Sequence, residues 1–348
     1  MPDISSVLIN ADVRNQVLLE RLKEGEHKKF TPFLKSIEKD LRARLLLEGE
    51  TISSIKRLRV LLADVTNLQK AIYDDYNGQL SIDLGEIGVS QSEFEAESYA
   101  KAVSAYLPVT PTSDQVLTAV RVNPMQLQAY SGRQLIQPFI ADWSKNQIQL
   151  VKNAIQQGFY QGQSTAEIIR RIRGTKGNNF NDGELAKVNR ANRTVVRTAV
   201  QHMSTQARQL TMSRNDDLIK GYQWVSVLDS RTSNQCSALD GRIFDVGDGP
   251  LPPIHPNCRS TTTPVLSDEF DFDKSPSKVV DETYYSWLKK QPLSFQSEAI
   301  GATRAKLLRD GGLSSEEFAK LSLNKNFESM TLSEMRKKAP TVFEEANI

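Results

Sequence analysis

Apolar residues in the first hundred positions recur at helical spacing. Phe33, Leu34, Ile37, Leu41 and Leu45 form one stripe, with Glu38, Lys39, Arg42 and Arg44 between them. Ile55, Leu58, Leu62, Val65 and Ile72 follow a three-four alternation, the seam of a helical hairpin or short coiled coil. Such a hairpin leaves its apolar stripe incomplete, so either the rest of the chain or another subunit must cover it. YLPVTPTSD, from Tyr106 to Asp114, then reads as a connection, with Ser113 or Asp114 able to cap a following helix. In GQSTAEIIRRIRG, Ser164 and Glu167 make an S-x-x-E box before Ile168, Ile169 and Ile172. A helix is expected from near Ser164 to Gly174. TKGNNFNDG is a loop, and Glu184 to about Ser213 is a long helix with Val188, Val195, Ala199, Met203 and Leu210 on its apolar side.

After Gly221 the period changes from helical to alternating. YQWVSVLD is rich in β-branched and aromatic residues and reads as a strand, and RSTTTPV as the strand that returns. Between them DGRIFDVGDGPLPPIHPN concentrates glycine and proline. The acidic run Leu266 to Asp273 suits a solvated linker, because it lacks the glycine turn of a calcium loop. Short helices follow in TYYSWLKKQ, FQSEAIG, ATRAKLLRDGG and SSEEFAKL, with Gly301 and Gly311-Gly312 as C-caps. The expected fold is mainly α with a small antiparallel β module (α+β). Long amphipathic helices lead to a turn-rich β module around residues 221–265, and short C-terminal helices follow. The chain divides into a helical region 1–110 suited to partner contact, a central unit 111–265, and an acidic linker with short helices over 266–348.

Composition narrows the class. The 348 residues are 39% hydrophobic with a mean hydropathy of −0.43, which favours amphipathic helices or an assembly component over one thick α/β core. No apolar run approaches the roughly 18 residues of a membrane span. The opening MPDISSVLINADVRNQ lacks the pattern of a secretory signal. Two cysteines make no disulfide framework, so a reducing compartment is expected. Net charge is only +2, yet ten basic residues fall between Arg170 and Arg214, locally opposed by Asp182 and Glu184. Arg170, Arg171, Arg173, Lys187, Arg190 and Arg193 are candidate phosphate contacts to DNA. The plainer reading is a solvated helix face, favoured by the scarcity of aromatics for base stacking.

The chain's rare reactive residues gather late. Two residues separate His255 from Cys258 in PPIHPNCRSTTTPV, and Cys236 lies 22 residues upstream of Cys258. Zinc takes such ligands in close pairs on turns. Cys236, His255 and Cys258 are therefore candidate ligands, with Asp229, Asp240 or His202 as a fourth. Three ligands and a water would resemble a catalytic site, and four a structural one. The bland alternative is two small buried thiols and a histidine that holds a turn. A Cys-His nucleophile is disfavoured because nothing near Cys236 presents a helix dipole or an oxyanion hole. Neither a P-loop nor a zinc-deaminase pattern occurs.

The order of residue types in this region resembles the signature of the Mu F-like phage head morphogenesis (minor head) proteins. That signature is Trp, then D-x-R-T, then C-x-x-x-D-G-x-x-F, then H-P-N-C-R. Trp224, Asp229, Arg231, Thr232 and Cys236 fill its first half, and Asp240, Gly241, Phe244, His255, Cys258 and Arg259 the second. Arg197-Thr198 and the GQSTAEIIRRI opening resemble family features too, so the likeness spans roughly Gly162 to Val265. Many relatives carry further cysteines where this chain has Ser233 and Ser260, which weakens zinc here and shifts the holding role to Asp229, Arg231, Asp240 and Arg259. A bidentate pair of Arg231 or Arg259 with Asp229 or Asp240 would fasten the turn.

The resemblance implies a structural, non-enzymatic minor head protein of a tailed bacteriophage. Such a protein would be assembled in the host cytoplasm into the virion head, next to the portal and capsid or scaffold components. It could meet packaged DNA and leave with it at ejection. Two other classes stay open: a zinc-dependent nuclease or toxin-like effector built on the same module, and a non-enzymatic DNA-binding module.

Overall fold

The computed structural model describes residues 4–104, 106–127, 133–270 and 282–348. The end of the acidic run, 271–273, lies outside the described residues. The first hundred residues form α1 (Ile4–Lys28), α2 (Phe30–Leu46) and α3 (Ile55–Ala102). Ser54 starts α3 by accepting a hydrogen bond from the Arg57 N–H at 3.2 Å. The stripe Ile37, Leu41, Leu45 and the stripe Leu58, Leu62, Val65 are buried in one core with α5 (Ile136–Tyr160) and α7 (Glu184–Ser213). The hairpin's missing partner is therefore the rest of the chain. Phe30, Tyr73, Tyr76 and Trp143 of α5 make the aromatic centre of this core, with Tyr73 edge-on to Trp143 at 5.3 Å. Gly88 lets α3 approach α7, since a Cβ there would stand 2.8 Å from the Met203 sulfur.

Helix α4 (Ser113–Val122) is capped one residue earlier than Ser113 or Asp114. Thr112 accepts from the Gln115 N–H, and the Gln115 side chain accepts from the Thr112 N–H at 3.1 Å. Only Thr112 stands three residues before a side chain able to reciprocate. Helix α6 (Thr165–Arg173) has the expected box, in which the Glu167 carboxylate accepts from the Ser164 N–H at 2.8 Å. Gly174 ends it at φ +94°, a conformation that favours glycine. Helix α7 is buried along most of its length from Val195 to Met212, which makes it the central strut.

The β module comprises β1 (Ile219–Val225), β2 (Ile243–Asp245) and β3 (Thr261–Leu266), with a short helix α8 (Asn234–Leu239) between β1 and β2. The order is β2-β1-β3, antiparallel throughout, and Tyr222 stands opposite both Phe244 and Pro264. The first strand begins at Ile219, earlier than YQWVSVLD suggested, and ends at Val225. Beyond it Ser226 turns away so that its N–H can meet Asp240. Strand β2 falls in the glycine-rich stretch and is a three-residue edge.

The C-terminal elements α9 (Tyr284–Lys289), α10 (Leu293–Ile300), α11 (Ala302–Asp310), α12 (Ser315–Leu321), α13 (Leu332–Lys338) and α14 (Pro340–Glu345) enclose a second core. Gly301 ends α10 and Gly311 ends α11. Tyr284, Tyr285, Leu288 and Phe318 pack there with Trp224, Cys236, Leu239 and Cys258, so the turn module and the C-terminal helices share one interior. A smaller cluster of Leu8, Tyr99, Met212, Tyr222 and Leu266 ties the sheet to the helical body. Among the described residues the molecule is mainly α with one small antiparallel sheet, an α+β fold.

Candidate metal centre and its clasp

Two turns bring the rare residues together. Ser233 caps α8 by accepting the Cys236 N–H at 3.2 Å, which fixes Cys236 in the first helical turn. The opposite turn, His255 to Cys258, is held by α7. Asn257 has a left-handed backbone at φ +59°. Its N–H donates to Thr198 Oγ1 at 3.1 Å, and its side-chain amide donates to Thr194 Oγ1 at 3.2 Å. The neighbouring Arg197 pairs with Glu20 of α1. The Arg-Thr step on α7 thus ties two parts of the fold together, since the threonine grips the turn while the arginine grips α1.

Cys236 Sγ lies 3.8 Å from Cys258 Sγ and 3.2 Å from His255 Nε2, and the three ligand atoms all lie within 4.8 Å of one another. Both thiols are free and buried. Two sulfurs at about 2.3 Å from a tetrahedral zinc ion would be separated by about 3.8 Å, so the spacing fits. His255 Nδ1 faces the Pro256 carbonyl at 2.9 Å, which leaves Nε2 turned to the sulfurs. Burial works to raise the Cys258 thiol, but hydrogen bonds from Cys236 and His255 outweigh it and hold the group well below its usual value. Burial and the neighbouring Cys258 push Cys236 up. Burial works to lower His255, and the adjoining Cys258 more than reverses it. A soft cation would take the two sulfurs as thiolates and His255 as the neutral imidazole through Nε2, so its binding would release the protons these groups carry.

Among the described residues no fourth His, Cys, Asp or Glu joins this group. Asp229 accepts two bonds from Arg259, Nη1 and Nη2 each at 2.7 Å, and further bonds from the Arg231 N–H at 3.0 Å and the Arg231 guanidinium at 3.2 Å. The Arg259 bonds first, working against desolvation, hold its carboxyl well below the usual range. Thr232 donates to the Val227 carbonyl and closes the same turn. Asp240 accepts the Ser226 N–H at 2.6 Å and the Tyr284 N–H at 2.7 Å, joining β1 to α9. Burial raises its pKa to about 7, against the pull of those N–H groups. His202 lies elsewhere, buried on α7, with its pKa lowered to about 4 by desolvation.

Other motif residues seat the clasp. The Trp224 indole donates to Ser226 Oγ at 2.9 Å, and Ser226 Oγ donates to the Cys236 carbonyl at 2.8 Å. Gly241 has φ +78°, and a Cβ there would meet Thr283 at 2.6 Å. Phe244 stacks on Tyr222 at 5.5 Å and meets Phe327 edge-on. Ser233 Oγ accepts the Cys236 N–H, and Ser260 Oγ meets Ser226 Oγ at 3.3 Å.

Most of the basic residues are engaged by acids or amides of the chain. Arg173 pairs with Glu38, Arg193 with Glu24, Lys187 with Glu184, and Arg171 donates to Gln157 and Gln161. Arg208, one of the ten, is in the interior between Asp12 and Glu95. Arg170 and Arg190 are exposed. Local counting missed the opposing acids because Glu20, Glu24, Glu38 and Asp12 lie more than a hundred residues away. It also missed Lys23, whose fully buried ammonium donates to Gln201 at 2.6 Å and to Glu20 at 2.5 Å beside this site. Its spacing from Glu20 was the only signal in the sequence.

A helical body that grips a small three-stranded clasp, with two thiols and an imidazole at the fastening, defines an α+β structural module with a candidate soft-metal centre. Residues 149–263, about a third of the chain, match the family model described as Phage Mu protein F like protein, so this region is similar to those proteins. The matched span runs from within α5 into β3 and contains both turns that carry Cys236, His255 and Cys258. No curated protein and no solved structure matches the chain. Among the described residues no helix is long and apolar enough to cross a membrane.

Proposed function

We propose that this chain is a minor structural component of a tailed-phage head, built in beside the portal during assembly in the host cytoplasm and kept in the virion. It acts by contact and not by catalysis. The observation that carries this reading is how the motif's reactive groups are spent. Asp229 is taken by Arg259 and Arg231, Asp240 by two backbone N–H groups, and both thiols are buried. A site committed to fastening suits a part that must hold shape under load. The Mu F-like match over 149–263 supports the head as its location.

Zinc fits Cys236, His255 and Cys258, and there it would cross-link the α8 turn to the turn before β3. Portal protein is the first partner, capsid or scaffold components the next, and packaged DNA a further contact through exposed Arg170 and Arg190. The DNA passing the portal is the route by which the chain could leave the head.

Co-purification with portal protein and detection in purified virions test the reading, and absence from both would overturn it. A zinc-dependent nuclease on the same module instead requires nucleic-acid cleavage that is lost in His255→Ala. A DNA-binding module requires binding with a steep salt dependence that charge reversal at Arg190 flattens.

A further inference from the structure

Helix α1 is built inside out. A surface helix ordinarily buries an apolar stripe and shows a polar one. Of the seven residues that α1 buries, five are polar or charged: Asp12, Gln16, Lys23, Glu26 and His27. Each has a partner within the fold. Asp12 pairs with Arg208 at 3.3 Å, Gln16 donates to Gln201 at 3.1 Å, and His27 meets Asn192 at 2.8 Å. Lys23 donates to Gln201, and Glu26 pairs with Lys29. Only Leu8 and Leu19 are apolar among those seven, whereas four large apolar side chains lie on the outward face. Val13, Val17, Leu18 and Leu22 are 43%, 51%, 58% and 39% exposed, unusual for side chains of this size.

Charge on α1 is sorted as well. Its four carboxylates are all engaged inside the chain: Asp12 and Glu26 as above, Glu20 with Lys23 and Arg197, and Glu24 with Arg193. Arg14, Arg21 and Lys28 point outward, and among the described residues none of them has an ion-pair partner. Their heptad spacing lines them up along the helix at steps of about 10.5 Å. Val13 and Val17 flank this row on one side, above a groove of about 380 Å³ walled by Val225, Val227 and Leu228. Leu18 and Leu22 flank it on the other, above a groove of about 420 Å³ shared with Ile87 of α3. Of the three acids lining that second groove, Glu26 and Asp83 are paired with Lys29, which leaves Glu86 facing the three cations.

We infer that the outward face of α1 is a docking site for an acidic amphipathic helix of a partner protein. Apolar anchors at i, i+3 and i+4 spacing would enter the grooves, and carboxylates would lie along Arg14, Arg21 and Lys28. The concave grooves on both sides favour a protein ridge over a flat lipid surface. Because the occupant is defined by its chemistry, this inference does not depend on the head-assembly reading.

The test uses the full chain and a labelled, stapled helical peptide of about 18 residues, roughly 27 Å long. It carries leucines at i, i+3 and i+4 with glutamates between them. Fluorescence anisotropy should show saturable binding to this peptide and none to the same peptide with lysines for glutamates. The double variant Arg14→Glu/Arg21→Glu and, separately, Val17→Asp should each weaken binding about tenfold while leaving thermal melting unchanged, since the altered side chains are exposed. Equal binding of the lysine peptide, or indifference to both variants, would overturn the inference. Binding only to vesicles of mixed phosphatidylglycerol and phosphatidylcholine would overturn it in favour of a lipid surface. Light scattering that shows a dimer abolished by Val17→Asp would overturn it in favour of a second copy.

Discussion

The fastening of the clasp can be measured through Asp229 and Arg259. Their two parallel bonds are both 2.7 Å long, and the side chains are 28% and 19% exposed. An exposed ion pair contributes about 0.2–1 kcal/mol, whereas breaking a buried one costs about 3–5 kcal/mol. A bidentate pair at intermediate burial should therefore couple by about 2 kcal/mol, roughly thirtyfold in the folding equilibrium. Urea unfolding of wild type, Asp229→Asn, Arg259→Gln and the double variant, followed by tryptophan fluorescence at pH 7, closes the cycle. Trp224 reports on the module directly because it is buried within it.

The Asp229 carboxyl is held below its ordinary value of 3.8, chiefly by the Arg259 bonds. A depressed folded pKa gives stability that is present above the unfolded pKa and lost as the pH falls. The coupling should then shrink below about pH 4. Additive single variants, with a coupling under about 0.5 kcal/mol at pH 7, would refute the clasp.

Three further outcomes are expected. Purified chain should carry about one zinc ion, with Cys258→Ser or Cys236→Ser lowering metal content by mass spectrometry to background and chelation lowering the melting temperature of wild type only. Gly241→Ala should destabilise by about 1–3 kcal/mol in urea unfolding, because φ is +78° and the new Cβ meets Thr283; a neutral variant would contradict that geometry. Asp240, raised from 3.8 to about 7 chiefly by burial, should stabilise the fold most below about pH 4 and lose that contribution as the pH rises through 7. The shift corresponds to at most about 4 kcal/mol, and Asp240→Asn should flatten the pH dependence of stability over that interval relative to wild type.

Periodicity alone determined the stripes of α2 and α3, the long helix α7, the capping box at Ser164, the stop at Gly174 and the strands β1 and β3. These depend on neighbours within a turn or a strand, where side-chain spacing and caps act directly. The order of residue types from Trp224 to Arg259 likewise carried the Mu F-like resemblance and picked out Cys236, His255 and Cys258. Tertiary structure decided what each group is for. It assigned Arg259 to Asp229 with Arg231 in support, gave both oxygens of Asp240 to backbone N–H groups, and set His202 apart from the thiols. It also dissolved much of the basic run, because Glu20, Glu24 and Glu38 reach it from helices distant in sequence. Above all it turned α1 over. Asp12, Gln16, Lys23 and His27 find partners on α7, contacts with no periodic trace. A helix that buries charge for specific pairing cannot be told from one that exposes it until those partners are in place.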